Sequence, residues 1–270
     1  WEDRTNRLES DRRCYAFCQP RMPMEPLIFV EVALVDELAG SVQALLDEQA
    51  PVFDAQRATT AIFYSISNTQ VGLRGVSFGN FLLKRVIEDL QRDFPRLEQF
   101  ATLSPIPGLR RWVEKHPQEW ATVFDADLRE RLARHLPDGA VPSEDALRTL
   151  LADGAWAGNE RLARALQPAL TRLAARYFLH AKAAERGEKG GEPGASVAKP
   201  FDPVARFHLG NGARVERINP LADTSPNGFK QAYGLMVNYL YDPDGIEANV
   251  EAFARAGNIA ASGTVRRAGR

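Results

Sequence analysis

Continuous apolar runs and stretches of helical spacing alternate along the first hundred residues. Leu27–Val35, apolar but for Glu31 and rich in β-branched residues, predicts a strand. After it, Leu38, Val42, Leu45 and Leu46 recur at helical spacing within Asp36–Gln49. Thr59–Ser67 predicts a second strong strand, and a glycine-bearing loop, Asn68–Gly79, leads out of it. From Asn80, the apolar positions Phe81, Leu82, Val86 and Leu90 predict a helix that ends at Phe94-Pro95. Phe100–Leu103 predicts a third short strand, stopped by Ser104-Pro105-Ile106-Pro107-Gly108.

The segment of about 117–186 reads as helical throughout. Leu128, Leu132 and Leu136 form one stripe, and Leu162, Leu166, Leu170, Leu173, Tyr177 and His180 another; core packing is the expectation for both. A polar, glycine-rich stretch of about 187–199 reads as a mobile loop. Strand character returns at Val204–Leu209 and Leu235–Tyr241, and Asn211-Gly212, followed by Arg214–Ile218, is a hairpin signal. Ile246–Ala256 predicts a last helix. Strand, glycine loop, helix, strand is an α/β core; the later strands and the inserted helices make the whole α+β, a mixed sheet with flanking helices.

The length of 270 residues suits one large domain carrying an insertion. A net charge of -1 offers no global field for nucleic acid or an anionic membrane, and no run approaches the length of a membrane-spanning helix. Cys14 and Cys18 stand without a second pair or a nearby histidine, which argues against both a metal site and a disulfide framework. The chain begins at Trp1, which reads as a fragment whose upstream part is not seen.

Two places hold candidate chemistry. Arg74-Gly75-Val76-Ser77-Phe78-Gly79-Asn80 follows a predicted strand and opens a predicted helix. That placement aims backbone N–H groups and a helix dipole at one point, and glycine lets an anion approach closely. The same spacing also suits a simple turn. No P-loop is present, and Gly72, Gly75 and Gly79 miss the dinucleotide-binding spacing. Of four histidines, His116, His135 and His180 read as solvated or packing residues, whereas His208 falls on a predicted strand just before a tight turn. Ser104, ending a strand and followed by two prolines, reads either as a rigid turn or as a fixed hydroxyl.

Seven short strings in fixed order resemble the malonyl-CoA decarboxylase family: Trp1-Glu2-Asp3, Arg12-Arg13-Cys14-Tyr15, Phe63-Tyr64-Ser65-Ile66-Ser67, Gly72-Leu73-Arg74-Gly75-Val76, Leu103-Ser104-Pro105-Ile106-Pro107-Gly108, Phe207-His208-Leu209-Gly210-Asn211-Gly212-Ala213 and Gly234-Leu235-Met236-Val237-Asn238-Tyr239. The resemblance implies a GNAT-like acyl-CoA-binding domain over 1–270, with an upstream helical domain absent from this chain. It implies that Ser104 and His208 form a catalytic pair, that Tyr241 has a site role, and that Arg74, Gly75, Val76, Ser77, Phe78, Gly79 and Asn80 hold the CoA thioester. Ser77 departs from the acetyltransferase pattern, which has glycine there. The implied reaction turns malonyl-CoA into acetyl-CoA and carbon dioxide. Ser104 would stabilise the thioester enolate, and His208, with a pKa near neutrality, would protonate it. No metal or organic cofactor is expected. A homo-oligomer in the cytoplasm, without nucleic acid or membrane as a partner, completes the expectation. An acyl-CoA N-acyltransferase on the same fold and a non-catalytic CoA-binding module are the competing readings.

Overall fold

A computed structural model describes residues 10–19, 22–68, 79–136, 140–183 and 199–270; the side chains of 19, 22–25, 67–68 and 79–82 also lie outside the description. Among the described residues, seven strands form one mixed sheet in the order β1-β2-β3-β4-β7-β5, with β6 on the other side of β7. The strands are β1 (Arg12–Gln19), β2 (Met22–Val35), β3 (Thr60–Asn68), β4 (Gln99–Thr102), β5 (Ser104–Pro105), β6 (Arg214–Asn219) and β7 (Met236–Tyr241). The helices are α1 (Val42–Leu45), α2 (Gly79–Asp93), α3 (Leu109–Lys115), α4 (Gln118–Val123), α5 (Ala126–Ala133), α6 (Glu144–Leu150), α7 (Glu160–His180), α8 (Pro203–Gly210), α9 (Pro226–Ala232), α10 (Ile246–Ala256) and α11 (Gly263–Ala268). The expected mixed sheet with flanking helices is therefore present.

Strands β1, β2 and β3 run antiparallel, and β3 and β4 are parallel, with α2 on the connection between them. Side-chain parity divides the sheet into two faces. Ala61, Phe63, Phe100, Val237, Tyr239 and Tyr241 join the large core on one face. Ile62, Ala101, Leu103 and Met236 join a smaller cluster on the other. By the same parity Thr102 and Ser104 fall on the Phe100 side, towards the large core.

Helix α7 packs into that core through Leu162, Leu166, Leu170, Leu173 and Tyr177, as expected of this stripe, whereas its last member, His180, is exposed. Each such fully buried leucine contributes about 2 kcal/mol of transfer free energy. Asn159 caps the helix by accepting from the Leu162 N–H at 3.1 Å. Residues of the helical segment and of the sheet thus share one core.

Several expectations are corrected. The helix predicted over Asp36–Gln49 forms only at Val42–Leu45. The strand predicted over Val204–Leu209 is helix α8. Asp202 caps it by accepting from the Val204 and Ala205 N–H groups, and Pro203 sits in the first turn, where its missing N–H costs nothing. Ala205, His208 and Leu209 are its buried face, at helical and not strand spacing. Asn211-Gly212 accordingly ends a helix and turns no hairpin. Asn211 is the C-cap, and Gly212 takes the left-handed φ of 84° that glycine adopts without strain. Strands β1 and β5 and helices α3, α9 and α11 were not predicted. The predicted loop at about 187–199 lies, but for residue 199, outside the described residues.

Candidate active site

The site forms where the β4–β7 ladder breaks. Phe100 pairs with Tyr241 and Ala101 with Leu240; pairing resumes with Ser104 opposite Val237. Across the gap, side chains replace the ladder. The Tyr239 N–H donates to Thr102 Oγ1 at 3.2 Å, and the Asn238 amide donates to the Thr102 carbonyl at 2.9 Å. Both polar backbone groups are therefore satisfied in a place where leaving either bare would cost about 1–3 kcal/mol.

Ser104 opens β5 immediately after this break. Its Oγ lies 2.8 Å from Thr102 Oγ1 and 3.2 Å from His208 Nε2. Alternation along the chain puts the two hydroxyls, two residues apart, on one face. The other ring nitrogen of His208, Nδ1, is 2.8 Å from the Tyr241 hydroxyl. Four side chains, Thr102, Ser104, His208 and Tyr241, thus form one continuous hydrogen-bonded row. Tyr239 stacks on the imidazole, with ring centroids 4.4 Å apart, and fixes its plane.

The row is dry. Thr102 is 0% exposed, Tyr241 1%, His208 4% and Ser104 6%, so Ser104 is the member nearest solvent. Burial pushes the His208 pKa down from 6.5 to about 3, so the imidazole is neutral at physiological pH. The expected pKa near neutrality is overturned, because no carboxylate among the described residues offsets the desolvation. Burial likewise raises the Tyr241 hydroxyl well above the usual tyrosine range.

A second buried group holds the two halves of the site together. Asp202, at the start of α8, is 2% exposed and accepts the Tyr177 hydroxyl of α7 at 2.9 Å. The Gly108 N–H, at the end of the Ser104–Gly108 turn, adds a further stabilising contact to the same carboxylate. A Cβ at Gly108 would overlap the Tyr177 hydroxyl, which is the physical reason for glycine there. Burial nonetheless pushes the Asp202 carboxyl above its usual pKa, the hydrogen bonds opposing it. Its contacts connect the turn that follows Ser104, helix α8 that carries His208, and helix α7.

The structure therefore brings together Ser104, His208 and Tyr241, three residues that the sequence points to but that lie far apart along the chain. His208 comes from the last turn of α8 and not from a strand. Thr102, Asp202 and Tyr177 were missed as site residues, although the Thr-x-Ser alternation and the Asp-Pro cap are visible in the sequence. Arg74, Gly75, Val76, Ser77 and Phe78 lie outside the described residues; Gly79 and Asn80 open α2, with side chains outside the description. The remaining histidines behave as expected. His116 Nδ1 meets the Trp112 carbonyl at 2.8 Å, and His180 Nε2 meets the Gly269 carbonyl at 3.1 Å.

The profile of the malonyl-CoA decarboxylase C-terminal domain matches residues 1–269. The mitochondrial malonyl-CoA decarboxylases of Anser anser anser and Rattus norvegicus are each 38% identical over 97% of this chain, which covers 50% and 52% of their sequences. The chain spans about half the length of the curated relatives it matches. Crystal structures of malonyl-CoA decarboxylases from Rhodopseudomonas palustris and Agrobacterium vitis share 45% identity with it, with TM-scores of 0.77 and 0.79. They align over 98% and 100% of this chain and 55% and 60% of their own. A fold built on this interrupted ladder, and a match over nearly its whole length, make the chain a member of the malonyl-CoA decarboxylase C-terminal domain family.

Proposed function

We propose that this chain decarboxylates malonyl-CoA to acetyl-CoA and carbon dioxide, with Ser104 and His208 acting on the reacting thioester. The observation that carries the reading is the buried Ser104–His208–Tyr241 row in a chain of this family. Decarboxylation breaks the bond between the α-carbon and the carboxylate, and its electron pair becomes a thioester enolate. The barrier falls when a fixed donor meets the enolate oxygen in a dry site. Ser104 is that donor. His208 then passes a proton from Nε2 to the α-carbon, and a solvent proton restores Nε2 once the product leaves, while the Tyr241 hydroxyl keeps donating to Nδ1 and holds the tautomer. A neutral imidazole is acid enough here, because a thioester enolate carbon is a strong base.

The CoA pyrophosphate is assigned to the backbone N–H groups of Arg74–Asn80, where Arg74 adds a guanidinium for phosphate oxygens. Residues 1–270 are read as one catalytic domain and 117–186 as an insertion within it. Neither metal nor organic cofactor takes part in the proposed steps. The reading also includes a homo-oligomer and a cytoplasmic location, which sedimentation and cell fractionation test. Among the described residues, no helix is long and apolar enough to cross a membrane.

Incubation of the purified protein with malonyl-CoA, in EDTA, with and without an amine acceptor, tests the proposal. Acetyl-CoA and carbon dioxide in equal amounts, independent of the amine, is the expected result. Acyl transfer to the amine would establish the acetyltransferase alternative instead. CoA binding without turnover would establish the non-catalytic one.

A further inference from the structure

The direction of the hydrogen bonds in the row follows from counting donors. His208 is neutral and carries one N–H. Tyr241 is buried, and among the described residues His208 Nδ1 is its hydroxyl's one hydrogen-bond partner, so the phenol donates to Nδ1. The imidazole proton then sits on Nε2 and points at Ser104 Oγ, 3.2 Å away. At the other end, Thr102 Oγ1 already accepts the Tyr239 N–H, and Thr102 is wholly buried. Its own proton has one acceptor among the described residues, Ser104 Oγ at 2.8 Å. Both neighbours therefore donate to the same oxygen. The donor left over is the Ser104 O–H, on the member of the row nearest solvent.

Running the row the other way strands the Tyr241 proton in the interior, which costs about 1–3 kcal/mol. Running it so that Ser104 donates to Thr102 strands the Thr102 proton instead. Only convergence on Ser104 Oγ places every buried donor and leaves the unplaced one where a ligand arrives.

We propose that Thr102 is a positioning residue that, together with His208, commits Ser104 to donating a hydrogen bond to the thioester oxygen. Two donors on Oγ polarise the hydroxyl and fill both its lone pairs, so Ser104 cannot take a proton and serves as an oxyanion donor. Thr102 does not touch the substrate. It acts through Ser104, and Tyr239 N–H fixes its rotamer from the neighbouring strand. The inference rests on the reading of Ser104 and His208 as the working pair.

Steady-state kinetics of Thr102→Val, Thr102→Ser and Ser104→Ala, with the double variant Thr102→Val/Ser104→Ala, test it in the intact protein. Thr102→Val, isosteric but without the hydroxyl, lowers kcat ~10–100-fold with KM changed less than ~threefold, and Thr102→Ser restores kcat to within ~threefold of wild type. On the Ser104→Ala background, Thr102→Val has no further effect on kcat. Wild-type kcat in Thr102→Val beside an impaired Ser104→Ala overturns this inference and leaves the proposed function standing. Wild-type kcat in Ser104→Ala overturns the proposed function itself. An equal loss from Thr102→Val on both backgrounds places its effect elsewhere and overturns the inference. Nitrogen-15 NMR of labelled histidine in the unmutated protein gives a test that no folding defect confounds: His208 protonated on Nε2 supports the row as drawn, and protonation on Nδ1 overturns it.

Discussion

His208 sits in the last turn of a helix, where the exposed carbonyls favour a cation, yet burial prevails and holds its pKa at about 3. Two pH dependences follow. Without ligand the protein keeps a neutral imidazole throughout the physiological range, so the kcat/KM of the proposed reaction has no limb near 6.5, the ordinary histidine value. A pH–rate profile with a midpoint near 6.5 would contradict this. The sign for stability is the opposite of that for a paired histidine. Below 6.5 the unfolded chain binds a proton that the native His208 refuses, so its contribution to stability is lost as pH falls. Chemical denaturation at pH 7 and pH 5 measures that loss, and it shrinks when His208 is replaced by Gln. The identities of Ser104, His208 and Tyr241 were legible in the sequence through their surrounding motifs. Thr102 was not, since a threonine within Ala101-Thr102-Leu103 looks like any strand residue until the ladder around it is seen to break.

At the scale of elements, the largest misreading is also the most instructive. Val204–Leu209 has the branched and aromatic composition of a strand, and Asn211-Gly212 the chemistry of a hairpin turn. Both features serve a helix. Asp202-Pro203 is a start signal, and a left-handed glycine ends a helix as readily as it turns a hairpin. Local composition could not decide between the two, because the deciding contact is distant: the start of α10 packs against the Gly212 turn, where Asn249 donates to the Gly212 carbonyl at 3.0 Å. A Cβ at Gly212 would meet the Ile246 backbone and carry an unfavourable positive φ. Gly212→Ala is therefore expected to cost ~2–4 kcal/mol, combining backbone strain with steric displacement. Denaturant unfolding measures it, and a loss below 1 kcal/mol, on the order of an ordinary surface change, would contradict the packing described.

At the scale of the whole molecule, the helical segment belongs to the same hydrophobic core as the sheet. The sequence shows its stripes but not their destination, since periodicity marks a buried face without naming its partner. The structure supplies the partner: α7 lies on the sheet face that carries the site, with Phe178 against Tyr239 and the Tyr177 hydroxyl on Asp202. Native-state hydrogen exchange should accordingly find α7 and β7 amides opening with one common free energy, whereas an α7 that exchanges well before β7 would mark an independent appendage. The central claim, that this core decarboxylates malonyl-CoA through a Ser104–His208 unit, is tested most directly by the kcat for acetyl-CoA formation in Ser104→Ala, His208→Ala and the double variant. The account predicts that each single change lowers kcat ~10²–10⁴-fold, that the double variant is little worse than the poorer single one, and that CoA affinity is preserved in all three. A His208→Ala protein with near-normal kcat, or losses that multiply in the double variant, would contradict it.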